Sequence, residues 1–323
     1  MIIVIYIDHN SGVDDLKRHI AILMEIMMMG AILLTGCSKK SNPTIPVNNN
    51  SNSINATPPT FNQSWAISNT VLSLGYWNHY LYVGEYTGSA SPVAVFDCHN
   101  VLSHPISIFS WTAANFINET GIDPQGLIYI SDLGDSMCNQ FDVYGYPINA
   151  LNLPGTGVGV APNENIYVIN GNFLSEYTDQ GVQNSQSVSI SFTGNLVAVS
   201  PVAPYPVYVA GTNQIEELTS GGVSMTEWGD PATVSGKGQS EFSNINGITV
   251  GSTGIVYVTD GSNSSGITDE LVQEFSANGT FLTQWGGPSQ FTNIQGIAVT
   301  PSGNVFVGDN PSTGSGEIQK FTP

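Results

Sequence analysis

Between Phe242 and Pro323 the chain writes one pattern twice. FSNINGITVGSTGIVYVTD (242–260) aligns without a gap on FTNIQGIAVTPSGNVFVGD (291–309), an offset of 49 residues. A near-copy of that length is one structural unit repeated, and such a unit must bury its apolar faces against its neighbours. Within it, GITV and GIAV read as short apolar strands, and a Gly-bearing turn leads to the aromatic, β-branched runs IVYVTD and NVFVGD. A polar loop follows, then LVQEF or EIQKF, each closing on an aromatic residue. Alternation of this kind, broken by Gly, Asn and Ser, specifies β-strands joined by tight turns.

Traced backward, the second strand of the unit recurs as YLYVGE (80–85), LIYISD (127–132), NIYVIN (165–170) and PVYVAG (206–211). Tyr82, Tyr129, Tyr167, Tyr208, Tyr257 and Phe306 mark six copies, and Phe96, Phe141, Tyr177, Leu218, Phe275 and Phe321 mark the third strand of each. Four short strands every 40–50 residues predict an all-β, six-bladed propeller of four-stranded antiparallel blades. Helical periodicity is absent after residue 40. The sixth unit stops two residues after Phe321 with no outer strand. Trp228 and Trp285 fall on fourth strands, as does Trp111, and Trp65 stands ahead of the first unit in SWAIS (64–68). Residues 63–68 are therefore expected to supply the missing strand and close the ring.

The order Gly-Ile-Ala-Val, Gly turn, Val-Tyr-Val-x-Asp, loop, Ile-x-x-Phe, and a final strand near Trp-Gly resembles the NHL repeat. The resemblance implies a propeller across residues 61–323. Relatives of that kind include metal-dependent lactonases, lyases and arylesterases as well as binders of proteins, glycans or nucleic acid. Where NHL repeats commonly carry Asn-Arg before the third strand, this chain has Thr268-Asp269 and Ser315-Gly316.

The first 36 residues read as an export signal. Lys17-Arg18 precede a mostly apolar run from His19 to Leu34, and Leu34-Thr35-Gly36-Cys37 resembles the bacterial lipobox, in which the Cys is acylated and becomes the mature N-terminus. The run contains Glu25 and is short for a bilayer span. Residues 1–15, with Asp14-Asp15 ahead of the basic pair, do not fit a signal, so a start nearer Leu16 is expected. Residues 37–60, rich in Ser, Asn and Pro, read as a flexible tether with little to bury. The expected location is the bacterial cell envelope, anchored through lipid on Cys37.

Charged residues make up only 10% of the sequence, and acids outnumber bases 25 to 6. Without the signal the balance is 21 acids to 4 lysines, net −17. Such a field repels phosphate backbones, which sets nucleic acid aside. No nucleophile elbow, phosphate-binding loop, dinucleotide fingerprint or HExxH motif occurs.

Three groups of residues are candidates for chemistry. Glu85, Asp132, Asn170, Asp260 and Asp309 end the second strands at one end of the ring. They read either as turn-formers bonding nearby N–H groups or as a ring of hard oxygen donors for Ca²⁺ or a cationic ligand. At the other end Tyr76, Trp77 and Tyr80 form an aromatic patch suited to stacking or to half-burial in a hairpin. His79, His99 and His104 stand near it in sequence and form a weak candidate metal set. Cys98 lies two positions after the marker Phe96, and Cys138 three before the marker Phe141. That offset of five positions is roughly 16 Å along neighbouring strands, too far for a disulfide. The expected function is partner binding, to a protein or a glycan, without catalysis. The alternative is a metal-dependent, Ca-type hydrolase or lyase at the central channel.

Overall fold

The computed structural model describes residues 57–98, 107–148, 151, 153–229, 241–262, 270–312 and 315–323. The export signal, Cys37, His99 and His104 lie outside them. Among the described residues there is no helix, and the unit from Ile54 to Pro323 is made of 24 strands in six sheets.

The chain enters through β1 (Thr60–Ile67). Blade one is β2 (Thr70–Trp77), β3 (Tyr80–Tyr86), β4 (Ser91–Asp97) and β5 (Ser107–Ala114). Blade two is β6 (Ile117–Ile122), β7 (Ile128–Asp132), β8 (Met137–Phe141) and β9 (Leu153–Pro154). Blade three is β10 (Gly157–Val160), β11 (Ile166–Asn170), β12 (Phe173–Tyr177) and β13 (Val188–Ser189). Blade four is β14 (Leu196–Val199), β15 (Val207–Ala210), β16 (Gln214–Leu218) and β17 (Ser224–Gly229). Blade five is β18 (Ile245–Val250), β19 (Val256–Asp260), β20 (Leu271–Phe275) and β21 (Phe281–Gly286). Blade six is β22 (Ile294–Val299), β23 (Val305–Ser312) and β24 (Ser315–Thr322), completed by β1.

All sheets are antiparallel, and the first strand of each packs beside the first strands of its two neighbours, β22 against β2 included. The ring is thus closed at the axis. It is also closed at the rim, because β1 pairs with β24 with Trp65 opposite Ile318, as Trp285 is opposite Val272 and Trp228 opposite Ile215. The N-terminal strand fills the place left vacant by the incomplete sixth repeat.

The packing follows from the markers. Each third-strand marker pairs with the residue just before the second-strand aromatic: Leu81 with Phe96, Ile128 with Phe141, Ile166 with Tyr177, Val207 with Leu218, Val256 with Phe275 and Val305 with Phe321. Adjacent strand residues point to opposite faces. The aromatic therefore wedges into the interface with the next blade while the marker faces the previous one. Tyr82 meets Phe141, Tyr129 meets Tyr177, and Phe306 meets Phe96 in separate apolar clusters. Six such clusters alternate with six blades. Fully burying a side chain of this size contributes about 1.5–3 kcal/mol, so the interfaces hold the ring together.

Candidate functional site at the axis

An inner strand has a neighbour on one edge only. Its other edge faces the axis, and buried main-chain groups there must find partners. In blades five and six this edge begins with Gly247 and Gly296, where space is short: a Cβ on Gly296 would stand 2.7 Å from Ser73 Cα. In blade two the same position is Glu119, opposite Ser131 as Gly247 is opposite Thr259.

Glu119 is buried, and its carboxylate spans two blades. Oε2 accepts the N–H of Val158 at 2.7 Å and of Val197 at 2.9 Å, and Oε1 accepts Val197 N–H at 3.1 Å. Beside it, Asn118 donates through Nδ2 to Thr156 O at 2.7 Å and to Asn195 O at 2.8 Å. Blades three and four have only GVGV and LVAV on their inner strands, so blade two supplies the polar groups their edges need. Asn310 does the same for Val71, accepting its N–H and donating to its carbonyl. Asn246 donates to Ile294 O at 2.7 Å. Burial holds the Glu119 carboxyl well above the usual carboxylate range, against the opposing effect of the Val197 and Val158 N–H groups.

This polar level floors a funnel of about 410 Å³. Its wall carries Ile122, Val160, Val199, Val250 and Val299, each the last inner-strand residue of its blade and each half-buried. Tyr76 holds the equivalent place in blade one, stacked on Phe306 at 6.0 Å and 18°. The lip is Pro124, Pro162, Pro201, Ser252, Pro301 and Asn78. Proline fixes φ, so most of the lip is preformed. Asp123 at the wall is used by its own turn, accepting the N–H groups of Gln125 at 2.9 Å and Leu127 at 2.8 Å. Burial raises its pKa above the ordinary carboxylate value.

The funnel opens where first strands turn into second strands. Of the aromatic patch, Tyr76 and Trp77 line it, while Tyr80 packs half-buried beside Trp77 in the cluster between blades one and two. His79 is exposed at that hairpin.

The residues that end the second strands lie at the opposite end. Asp132 accepts main-chain N–H groups from Asn115 at 2.8 Å, Phe116 at 3.0 Å and Gly134 at 2.8 Å. Asp260 takes those of Ser243 and Asn244, and Asp309 those of Thr292 and Asn293. Each fastens the connection that leads into its own blade. Glu85 accepts Asn69 Nδ2 at 2.6 Å, with its pKa raised by burial and lowered by that bond, and Asn170 is exposed. Asp132, Asp260 and Asp309 thus act as turn-fasteners of their blades. Among the described residues no three His, Cys, Asp or Glu side chains converge as a metal site. Cys98 and Cys138 are free thiols in different clusters, Cys98 between blades six and one and Cys138 between two and three.

Glu119 is the site residue that the strand-by-strand reading passes over. Its signal is present in the repeat alignment: a carboxylate standing where the two best copies have glycine.

Fold and funnel define a six-bladed β-propeller with an axial pocket at one end. No family model and no curated protein matches the chain, so membership in the NHL family is not shown. Among solved structures it is similar to the crystal structure of selenomethionine-substituted virginiamycin B lyase from Staphylococcus aureus, with a TM-score of 0.52 and 12% identity over 81% of this chain and 99% of that one. At that identity the likeness is one of fold.

Proposed function

We propose that the chain is a lipid-anchored binding propeller of the bacterial cell envelope. Acylated Cys37 and the tether of residues 37–60 hold it at a membrane, and the funnel end meets a protein or glycan partner without catalysis. The observation that carries the binding reading is the division of labour at the axis. Glu119 and Asp123, the two carboxylates lining the funnel, serve main-chain N–H groups, while the wall and lip turned to the entrance are aliphatic, aromatic and proline-rigid. A preformed concavity of mixed apolar and polar lining, whose carboxylates are already engaged with main-chain groups, suits recognition.

The test is co-sedimentation of the purified full chain with envelope preparations of the producing cell. Ser252→Trp places a large ring over the mouth from an exposed lip position and is expected to weaken saturable binding about tenfold, roughly 1.4 kcal/mol. Unchanged binding by a folded Ser252→Trp protein overturns the reading. Cys37→Ser is expected to move the protein from the membrane to the soluble fraction.

The alternative is a metal-dependent lyase or hydrolase at the channel, favoured by the buried carboxyl of Glu119 at the funnel floor. Equilibrium dialysis with Ca²⁺, Mg²⁺ and Zn²⁺ separates the two. Stoichiometric metal that Glu119→Gln abolishes would replace the binding reading with the enzymatic one.

A further inference from the structure

We propose that the funnel end carries a stacking site for a neutral saccharide, built by Trp77, Tyr80, Tyr144 and Tyr146 beside the mouth. The inference rests on the binding reading above and specifies the ligand.

Tyr144 and Tyr146 stand on the turn that follows the third strand of blade two, at the same end of the ring as the funnel mouth. They are 48% and 47% exposed, although they follow closely on a core aromatic, Phe141. The turn that presents them is rigid. Asp142 Oδ1 accepts the N–H groups of both Tyr144 and Tyr146 at 2.9 Å, and Asp142 N–H donates to Tyr146 O at 2.9 Å. Gly145 supplies the left-handed residue at φ 82° and donates its N–H to Asp142 O. A ring pair held this way loses little entropy when it takes a ligand.

The turn abuts the aromatic patch. A Cβ on Gly126 would lie 2.8 Å from Trp77 Cζ2 and 2.9 Å from Val143 Cγ1, so the Trp77 ring and the turn meet over that glycine. The indole is fixed by its Nε1–H, which donates to Pro124 O at 3.1 Å, on the funnel lip. Tyr80 joins Trp77 in the same cluster. Burial raises the pKa of the Tyr82 hydroxyl, and Tyr80, Tyr144 and Asp142 add to it in smaller measure. The platform therefore runs from the turn to the lip, with the Asn78 amide and the Asp142 carboxyl at its borders.

The chemistry selects a neutral polyol. A pyranose offers an apolar C–H face to an aromatic ring and hydroxyl edges to amides and carboxylates, which is the composition of this surface. The chain's net charge is −19, so an anionic polymer meets repulsion along its whole length. Lys320 is the one Lys or Arg side chain among the described residues, and it lies 6% exposed over the Phe306 ring, so it is not displayed to an anion. A neutral saccharide incurs none of that repulsion.

The experiment titrates the full chain in detergent micelles with cellohexaose, laminarihexaose and maltohexaose, and with oligogalacturonate as the charged control. Trp65, Trp228 and Trp285 are buried, so among the described tryptophan side chains Trp77 is placed to report by fluorescence. At least one neutral hexaose is expected to bind and perturb Trp77. Tyr144→Ala/Tyr146→Ala should weaken that binding at least about tenfold, and Tyr144→Phe/Tyr146→Phe should stay within about threefold, because stacking survives loss of the hydroxyls. Absence of binding by all three hexaoses, equal binding by the alanine pair, or preference for oligogalacturonate overturns the inference. If no hexaose and no oligogalacturonate binds while Ser252→Trp still weakens envelope co-sedimentation, the binding reading stands and its partner is a protein; preference for oligogalacturonate leaves the binding reading standing with an anionic glycan as partner.

Discussion

Glu119 sits where the repeat calls for glycine, and the reason is visible in what it touches. Its Oε2 alone serves two main-chain N–H groups on two other blades. Glu119→Gln keeps an acceptor oxygen for both donors and is expected to change the unfolding free energy by less than about 1 kcal/mol, whereas Glu119→Ala orphans two buried N–H groups at roughly 1–3 kcal/mol each. Denaturant unfolding of the two variants checks this, and equal losses would remove the bridging role. The cysteines give a second expectation at this scale. Burial pushes the Cys98 thiol up to about 11, with a smaller opposing pull from Lys320, and burial lifts Cys138 further. Folded protein at neutral pH should therefore react slowly with a thiol reagent at both positions, and unfolded protein should yield both thiols promptly. Fast reaction of the folded chain would contradict the packing. The separation of the thiols was readable from the five-position offset between them. Glu119 was harder to read, because its meaning depends on two strands that come 39 and 78 residues later.

At the level of the strand, the most telling element is β1. It has no sequence copy within the last repeat, yet it completes that blade with Trp65 placed as Trp285 and Trp228 are in theirs. Trp65 packs on Phe306 at 6.1 Å and on Phe96 at 6.4 Å, so one side chain of the entering chain touches blades six and one together. Trp65→Ala is expected to cost about 3–5 kcal/mol, while Phe61→Ala, at a ring 47% exposed on the same strand, should cost far less. Deleting 61–67 should abolish the cooperative melt and promote aggregation, since it bares the full edge of β24. A deletion that melts like the parent would show that the ring does not depend on this closure. Strand count, order and closure were legible because the aromatic and its marker repeat once per blade with fixed register. The outer strands of blades two and three were not, since β9 and β13 are only two residues long and carry no tryptophan.

For the molecule as a whole, the funnel has no signature in any one segment. Six strand ends from across the chain form it, each contributing one aliphatic or aromatic residue and one lip residue, and only the ring brings them to one place. Charge is different, because it can be read from composition and then sharpened by burial. Glu85, Glu119, Asp123, Glu217 and Glu274 all have pKa values raised, in each case first by burial. A carboxyl whose folded value exceeds its unfolded value is harder to ionise in the native state. Its contribution to stability is complete below the ordinary carboxylate range and is lost as pH climbs through the raised folded value. All five act in the same direction, and repulsion within a chain of net charge −19 adds to them. Mild acidification from pH 8 to about pH 5.5 should therefore raise the melting temperature, the reverse of ordinary acid denaturation. Salt separates the two causes. Repulsion between exposed carboxylates is screened beyond about 8–10 Å at physiological ionic strength, whereas a buried carboxyl keeps its desolvation cost. In about 0.5 M NaCl the rise on acidification should shrink but persist, and Glu119→Gln should shrink it further without changing the fold. A melting temperature that falls between pH 8 and pH 5.5, or a rise that salt removes entirely, would mean that the buried carboxyls do not govern the stability of this ring.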